Sequence, residues 1–165
     1  MSEDRQSRSF HPIAVGVPLV SWTASLGFDL LSHYGADDNG FARASERAMI
    51  FGLAGALVSG AFGLRDVVRY SPAKPAGRPL AAFHALLNLG AAGFYALAAL
   101  RRGAVATEGR LDGEAGSAAR SQAGRLTLAD ARANAAALAI LGVSGYVGGR
   151  VAQRFNVRPG LEPPV

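Results

Sequence analysis

The sequence predicts an all-α integral membrane protein, a four-helix bundle of up-and-down topology. Three observations carry that prediction. Half of the 165 residues are hydrophobic and only 18% are charged, a balance too oily for an ordinary soluble domain. Four apolar segments, Ile13–Leu31, Ala48–Leu64, Leu80–Leu100 and Ala135–Gly149, approach the about 20 helical residues that a bilayer core demands. No charged residue interrupts Ala48–Leu64 or Ala135–Gly149, whereas every helix of a soluble bundle shows a charged face opposite its apolar stripe.

The elements follow in order. Residues 1–10 form a polar tail of mixed charge with no convincing cleavage site after it, so the first hydrophobic run reads as a retained helix. A four-helix domain then occupies 11–157, with spans near 12–33, 47–69, 79–101 and 128–153. The first span opens on His11-Pro12, with proline at its preferred first helical position, and Pro18 frees the carbonyl of Ala14 and loosens the first turns. The polar connector HYGADDNGFARASERA, with turn residues Gly35, Asn39 and Gly40, leads to the second span, which gains length if Arg65 and Arg69 snorkel. RYSPAKPAGRP follows, and its prolines forbid a continuous helix. After the third span, 102–126 reads as a mobile loop rich in Gly, Ala and Ser. Thr127 with Asp130 resembles a capping box that starts the fourth helix, and 158–165 is an extended tail.

Charge and composition bound the partners. The net charge of +5 is scattered over helix ends and loops, which fits an anionic lipid surface and not a nucleic acid. Cysteine is absent, so iron–sulfur clusters and covalently attached haem lose their usual ligands. Basic residues divide almost evenly between the two sides of the membrane, but the short Pro-rich loop concentrates its own beside the bilayer, placing both termini in the cytoplasm of an inner-membrane protein. Small residues such as Gly52, Ala56 and Gly60, and Gly145 with Gly149, suit close helix packing within the bundle or a homodimer face.

Polar chemistry gathers on one side. In an up-and-down bundle His11 opens the first helix, Asp66 closes the second, His84 enters the third and Arg150 closes the fourth, all at the end that holds the N terminus. Asn88 lies one turn deeper than His84 on the same helical face. Ionisable groups at bilayer depth are costly unless paired, so this convergence is a site by default. Three uses fit it: His11 and His84 as axial ligands of a b-type haem, a quinone or proton site on His84 and Asp66, or a structural knot in which Asp66 pairs with arginine and the histidines satisfy helix ends. Asp29, near the far end of the first span where Ser32 and His33 follow, leaves room for a second, smaller polar site, but a carboxylate this near the interface is in reach of water and reads first as an ordinary interfacial residue. Trp22 and Tyr95 read as packing or lipid-facing aromatics. No catalytic motif is evident, and no enzymatic activity is expected of the chain alone.

The ordered set HPIAVGVP, FDLL, GLAGALVSGAFGLRD, HALLN and GVSGYVGGRVAQRFNV resembles the domain-of-unknown-function family 2231, four-helix membrane proteins of bacteria, from His11 to Val157. The resemblance implies signature positions at His11, Pro12, Pro18, Asp29, Asp66, His84, Asn88, Gly148 and Gly149. This chain departs from it at Gly16, Arg150 and Phe155, where many relatives carry histidine, an acidic residue and histidine; those departures weaken a multi-histidine metal site and leave one haem between His11 and His84. Related domains occur beside Rieske or cytochrome-like domains, which implies redox company. The expectation is an accessory or electron-transfer subunit of a respiratory membrane complex, with haem b or quinone as cofactor; the alternative is a purely structural or assembly subunit without one.

Overall fold

The computed structural model describes residues 14–35, 40–70, 78–111 and 126–154. They form four helices: α1 (Gly16–Tyr34), α2 (Gly40–Tyr70), α3 (Arg78–Leu111) and α4 (Leu128–Arg154). Each helix packs on the next and α4 returns to α1, closing a ring of four. Neighbours run antiparallel. Val17 of α1 meets Gly55 of α2, Trp22 meets Met49 and Ser25 meets Ser45, while His84 of α3 meets Ser144 of α4 and Tyr95 meets Asn134. The up-and-down bundle expected from the sequence is the fold observed.

Local chemistry explains the helix ends. Ala14 is helical, the ladder breaks at Val15, and Pro18 in the first turn of α1 has no N–H to give the Ala14 carbonyl; the His11-Pro12 start lies outside the described residues. Gly35 ends α1 in an extended conformation, its N–H donating to Leu31 O at 2.8 Å. Pro79 occupies the first turn of α3. At the start of α4 the capping box forms: Thr127 N–H donates to Asp130 Oδ2 at 2.8 Å, and Asp130 N–H reaches Thr127 Oγ1 at 3.3 Å. Two boundaries differ from the sequence reading. Residues 40–46, read as connector, are the first turns of α2, and 102–111, read as loop, continue α3. Charged residues in a helix that leaves the bilayer are solvated, so polarity there signals the interface and not the helix end.

The interior is small and polar, and the outside is apolar. Trp22, Met49, Tyr95, Ala99 and Ala137 form the apolar core, with Trp22 stacked on Tyr95 at 4.1 Å between ring centroids and 8° between planes. Trp22 Nε1 donates to Met49 O at 3.1 Å, and Gly52 lets the indole lie this close: a β-carbon there would sit 2.3 Å from Nε1. Both aromatics are buried, so of the two sequence readings packing holds and a lipid-facing position does not. Around this core Ser21, Ser25, Asp29, Ser32, Ser45, Ser59, Asn134 and Ser144 are buried, while Val20, Phe51, Leu57, Leu86, Leu89 and Leu97 are exposed. That inversion of the soluble pattern is what a hydrocarbon solvent selects. Among the described residues, Gly40–Asp66 and Arg78–Gly103 are long and apolar enough to cross a membrane, and only 17% and 11% of their apolar stretches are buried in the bundle. The other two of the four expected spans, α1 and α4, are not among these two, and both carry polar side chains on their inward faces.

Candidate functional site

Two polar clusters tie the helices together, one at each end of the core. The first lies at the end where α1 begins and holds His84 and Asn88 of the expected set. His84 and Asn88, four residues apart on α3, share a face as the spacing requires, and both meet Ser144 of α4. His84 Nδ1 lies 2.8 Å from Ser144 O, which accepts only if Nδ1 carries a proton. Asn88 Nδ2 donates to His84 O at 2.9 Å and to Ser144 Oγ at 2.8 Å, and stands 3.1 Å from His84 Nε2. Gly148 closes the seam, since a β-carbon at that position would lie 2.7 Å from His84 Cε1. The imidazole is wedged between α3 and the backbone of α4.

The rest of the anticipated cluster is placed as follows. His11 lies outside the described residues. Asp66 stands half-buried near the end of α2, and Arg150 stands half-buried near the end of α4 with its guanidinium 5.9 Å from the Tyr146 ring centroid. The structure thus joins His84 to Asn88 and sets Asp66 and Arg150 at the same end of the bundle. Among the described residues no group of three or more His, Cys, Asp or Glu side chains could hold a metal ion.

The second cluster is larger and drier, and it centres on Asp29. The interfacial, water-reached carboxylate expected from the sequence is instead fully buried. Its two oxygens accept from all sides: Oδ1 from Ser45 Oγ at 2.5 Å and Arg102 NH1 at 3.0 Å, Oδ2 from Arg102 NH2 at 3.2 Å and Asn134 Nδ2 at 2.8 Å. The proton order is determined by valence. Ser45 spends its single hydroxyl proton on Asp29, so its oxygen accepts from Ser25 Oγ at 3.0 Å and from Arg102 NH1 at 2.6 Å. Asn134 Nδ2 also donates to Ser25 Oγ at 3.0 Å, and Asn134 Oδ1 accepts the Tyr95 hydroxyl at 2.7 Å. All four helices contribute to one saturated network.

This second cluster was hidden for identifiable reasons. Arg102 and Ser45 fell in segments read as loop and connector, and Ser25 and Asn134 are single polar residues in apolar runs. One signal was present: Ser25, Asp29 and Ser32 recur at helical spacing on α1, and a carboxylate on that stripe demands a cationic partner at the same depth. Just beyond it, His33 Nδ1 lies 3.4 Å from Leu126 O and Leu126 N–H donates to Ser32 Oγ at 3.4 Å, so α1 also grips the chain where it enters α4.

Chemically, the Asp29 cluster has its acceptors filled and joins helices, whereas the His84 cluster holds an imidazole against a backbone carbonyl at the bundle end. No curated protein and no solved structure matches the chain. A family model described as predicted membrane protein (DUF2231) matches residues 7–159, nearly the whole sequence. With its four-helix bundle, its outward apolar faces and that match, the chain belongs to the DUF2231 family of predicted membrane proteins.

Proposed function

We propose that this membrane protein is an accessory subunit of a larger membrane complex and contributes by packing, without a cofactor of its own. The observation that supports this reading most is the expenditure of the polar interior on itself. Asp29 accepts four hydrogen bonds from side chains of this chain, and the His84 ring is held by Ser144 O, Asn88 and the Gly148 backbone. In the packing reading the imidazole stays in the α3–α4 seam that it fills, and a b-type haem on His84 would require it to leave that seam. An inner-membrane location with cytoplasmic termini and contact with a redox complex belong to the same proposal; their support is the placement of basic residues and the family resemblance.

A second reading keeps the electron-transfer role, with haem or quinone bound by His11, His84, Asn88 and Asp66. One observation favours it: the Nδ1 donation to Ser144 O is the kind of backbone contact that orients ligating histidines. Reduced-minus-oxidised spectra of protein purified from its own membranes, with and without His84→Ala, separate the two. The packing role expects no Soret feature and less assembled complex on a native gel for the variant. A Soret band that disappears with His84→Ala establishes the redox role instead.

A further inference from the structure

Three helices build a seat for a cation before the fourth supplies one. Asp29 and Ser25 on α1, Ser45 on α2 and Asn134 on α4 bond to one another, Ser45 to Asp29, Ser25 to Ser45, and Asn134 to both Ser25 and Asp29, with the Tyr95 hydroxyl of α3 steadying Asn134. All four side chains are buried to the last few square ångströms, at 0% exposure. Into this seat α3 sends Arg102, whose NH1 and NH2 face Asp29 Oδ1 and Oδ2 as a fork while NH1 also meets Ser45 Oγ. Two parallel N–H···O bonds in one plane match a guanidinium, and an ammonium cannot reproduce them. The Arg102 side chain is 13% exposed against 0% for Asp29, so the tether leads from the seat to the surface, at the edge of the apolar stretch of α3 that ends at Gly103.

We propose that the Asp29 cluster is a binding site for guanidinium-class cations, that Arg102 is its tethered occupant, and that the seat accepts the free cation when the tether is removed. A buried carboxylate stripped of its counter-ion takes up a proton or another cation, and the preformed geometry of Asp29 and Ser45, with Asn134 behind them, favours a cation that is planar and forked. The inference stands apart from the accessory role, since it concerns how α3 is held and does not depend on any partner.

The test uses the full chain in detergent micelles. Trp22, the single tryptophan, is stacked on Tyr95, whose hydroxyl joins Asn134, so its fluorescence reports melting of this layer. Arg102→Ala is expected to melt at lower temperature, and millimolar guanidinium chloride to restore most of the lost Tm with saturation. Equal sodium chloride or urea should restore none, and adding Asp29→Asn should abolish the response. A rise that sodium reproduces, or no saturable rise, overturns the proposal. Should Arg102→Ala not fold, Arg102→Lys decides: a Tm below wild type is expected, and a Tm equal to wild type means that charge alone suffices and the seat has no forked specificity.

Discussion

At the residue scale the molecule depends on a few positions with no slack. Asp29 is the clearest, because every acceptor direction of its carboxylate is occupied and none is reached by solvent. Asp29→Ala leaves the Arg102 guanidinium buried without its partner, a loss of about 3–5 kcal/mol in the buried pairs where it has been measured. The expected outcome is a large fall in denaturant or thermal stability of the solubilised protein; a change within that of surface variants would mean that the network is ornamental. Glycine contrasts at the other cluster. Gly148→Ala puts a methyl group 2.7 Å from His84 Cε1, and forcing the seam apart should cost about 1–3 kcal/mol. Gly145→Ala, three residues earlier on α4 with nothing within 4 Å, should be close to neutral. Unfolding midpoints of the two variants, compared side by side, check whether the imidazole is wedged as described.

At the element scale, α4 shows how a helix start couples to the bundle. Thr127 and Asp130 cap its first turn, ahead of the apolar stretch from Ala135, and Thr127→Ala should destabilise by about 1 kcal/mol, read from the same unfolding curves. Burial would by itself raise Asp130, but the hydrogen bonds from Thr127 and the guanidinium groups of Arg102 and Arg101 outweigh it and hold the carboxyl below its usual value. The folded pKa is therefore depressed, so this contribution is complete above the unfolded carboxylate value of about 3.9 and is lost as pH falls through the folded one. A pH titration of stability should show that acid-side loss in wild type and less of it in Asp130→Asn. This cap was legible in the sequence, as were the four helices and the pairing of His84 with Asn88, because each is fixed by local spacing. The Asp29 seat was not legible. Its hydrogen-bonded partners are 16 to 109 positions apart, and only the ring order of the helices brings them to one depth. Arg102 and Ser45 carry the composition of loop and connector because a helix that emerges from the bilayer takes on charge before it ends.

At the scale of the whole molecule, the inversion of polarity decides the solvent. Serine, asparagine and an ion pair are inside, where small side chains let helices approach and hydrogen bonds hold them; leucine, valine and phenylalanine are outside. Ser21 and Thr23 show the same economy within α1, each donating at 2.8 Å to a carbonyl four residues earlier. In water, a surface this apolar would aggregate, and a core this polar would gain little from burial. In lipid the arrangement is the stable one, because the hydrocarbon covers the leucines at no cost and makes each internal hydrogen bond hard to exchange. The consequence can be measured at Leu57 of α2 and Leu89 of α3, which are 77% and 69% exposed and lie well inside their apolar stretches. If water faced them, arginine at either site would change stability by no more than about 0.5 kcal/mol, as surface substitutions do. If lipid faces them, Leu57→Arg and Leu89→Arg each meet a penalty of about 2.5–3.5 kcal/mol for a charge near a helix centre. The expected result in an insertion assay is loss of both variants from the carbonate-resistant membrane fraction, while Leu57→Ala and Leu89→Ala remain. Full retention of folded arginine variants would show that these faces meet something more polar than acyl chains.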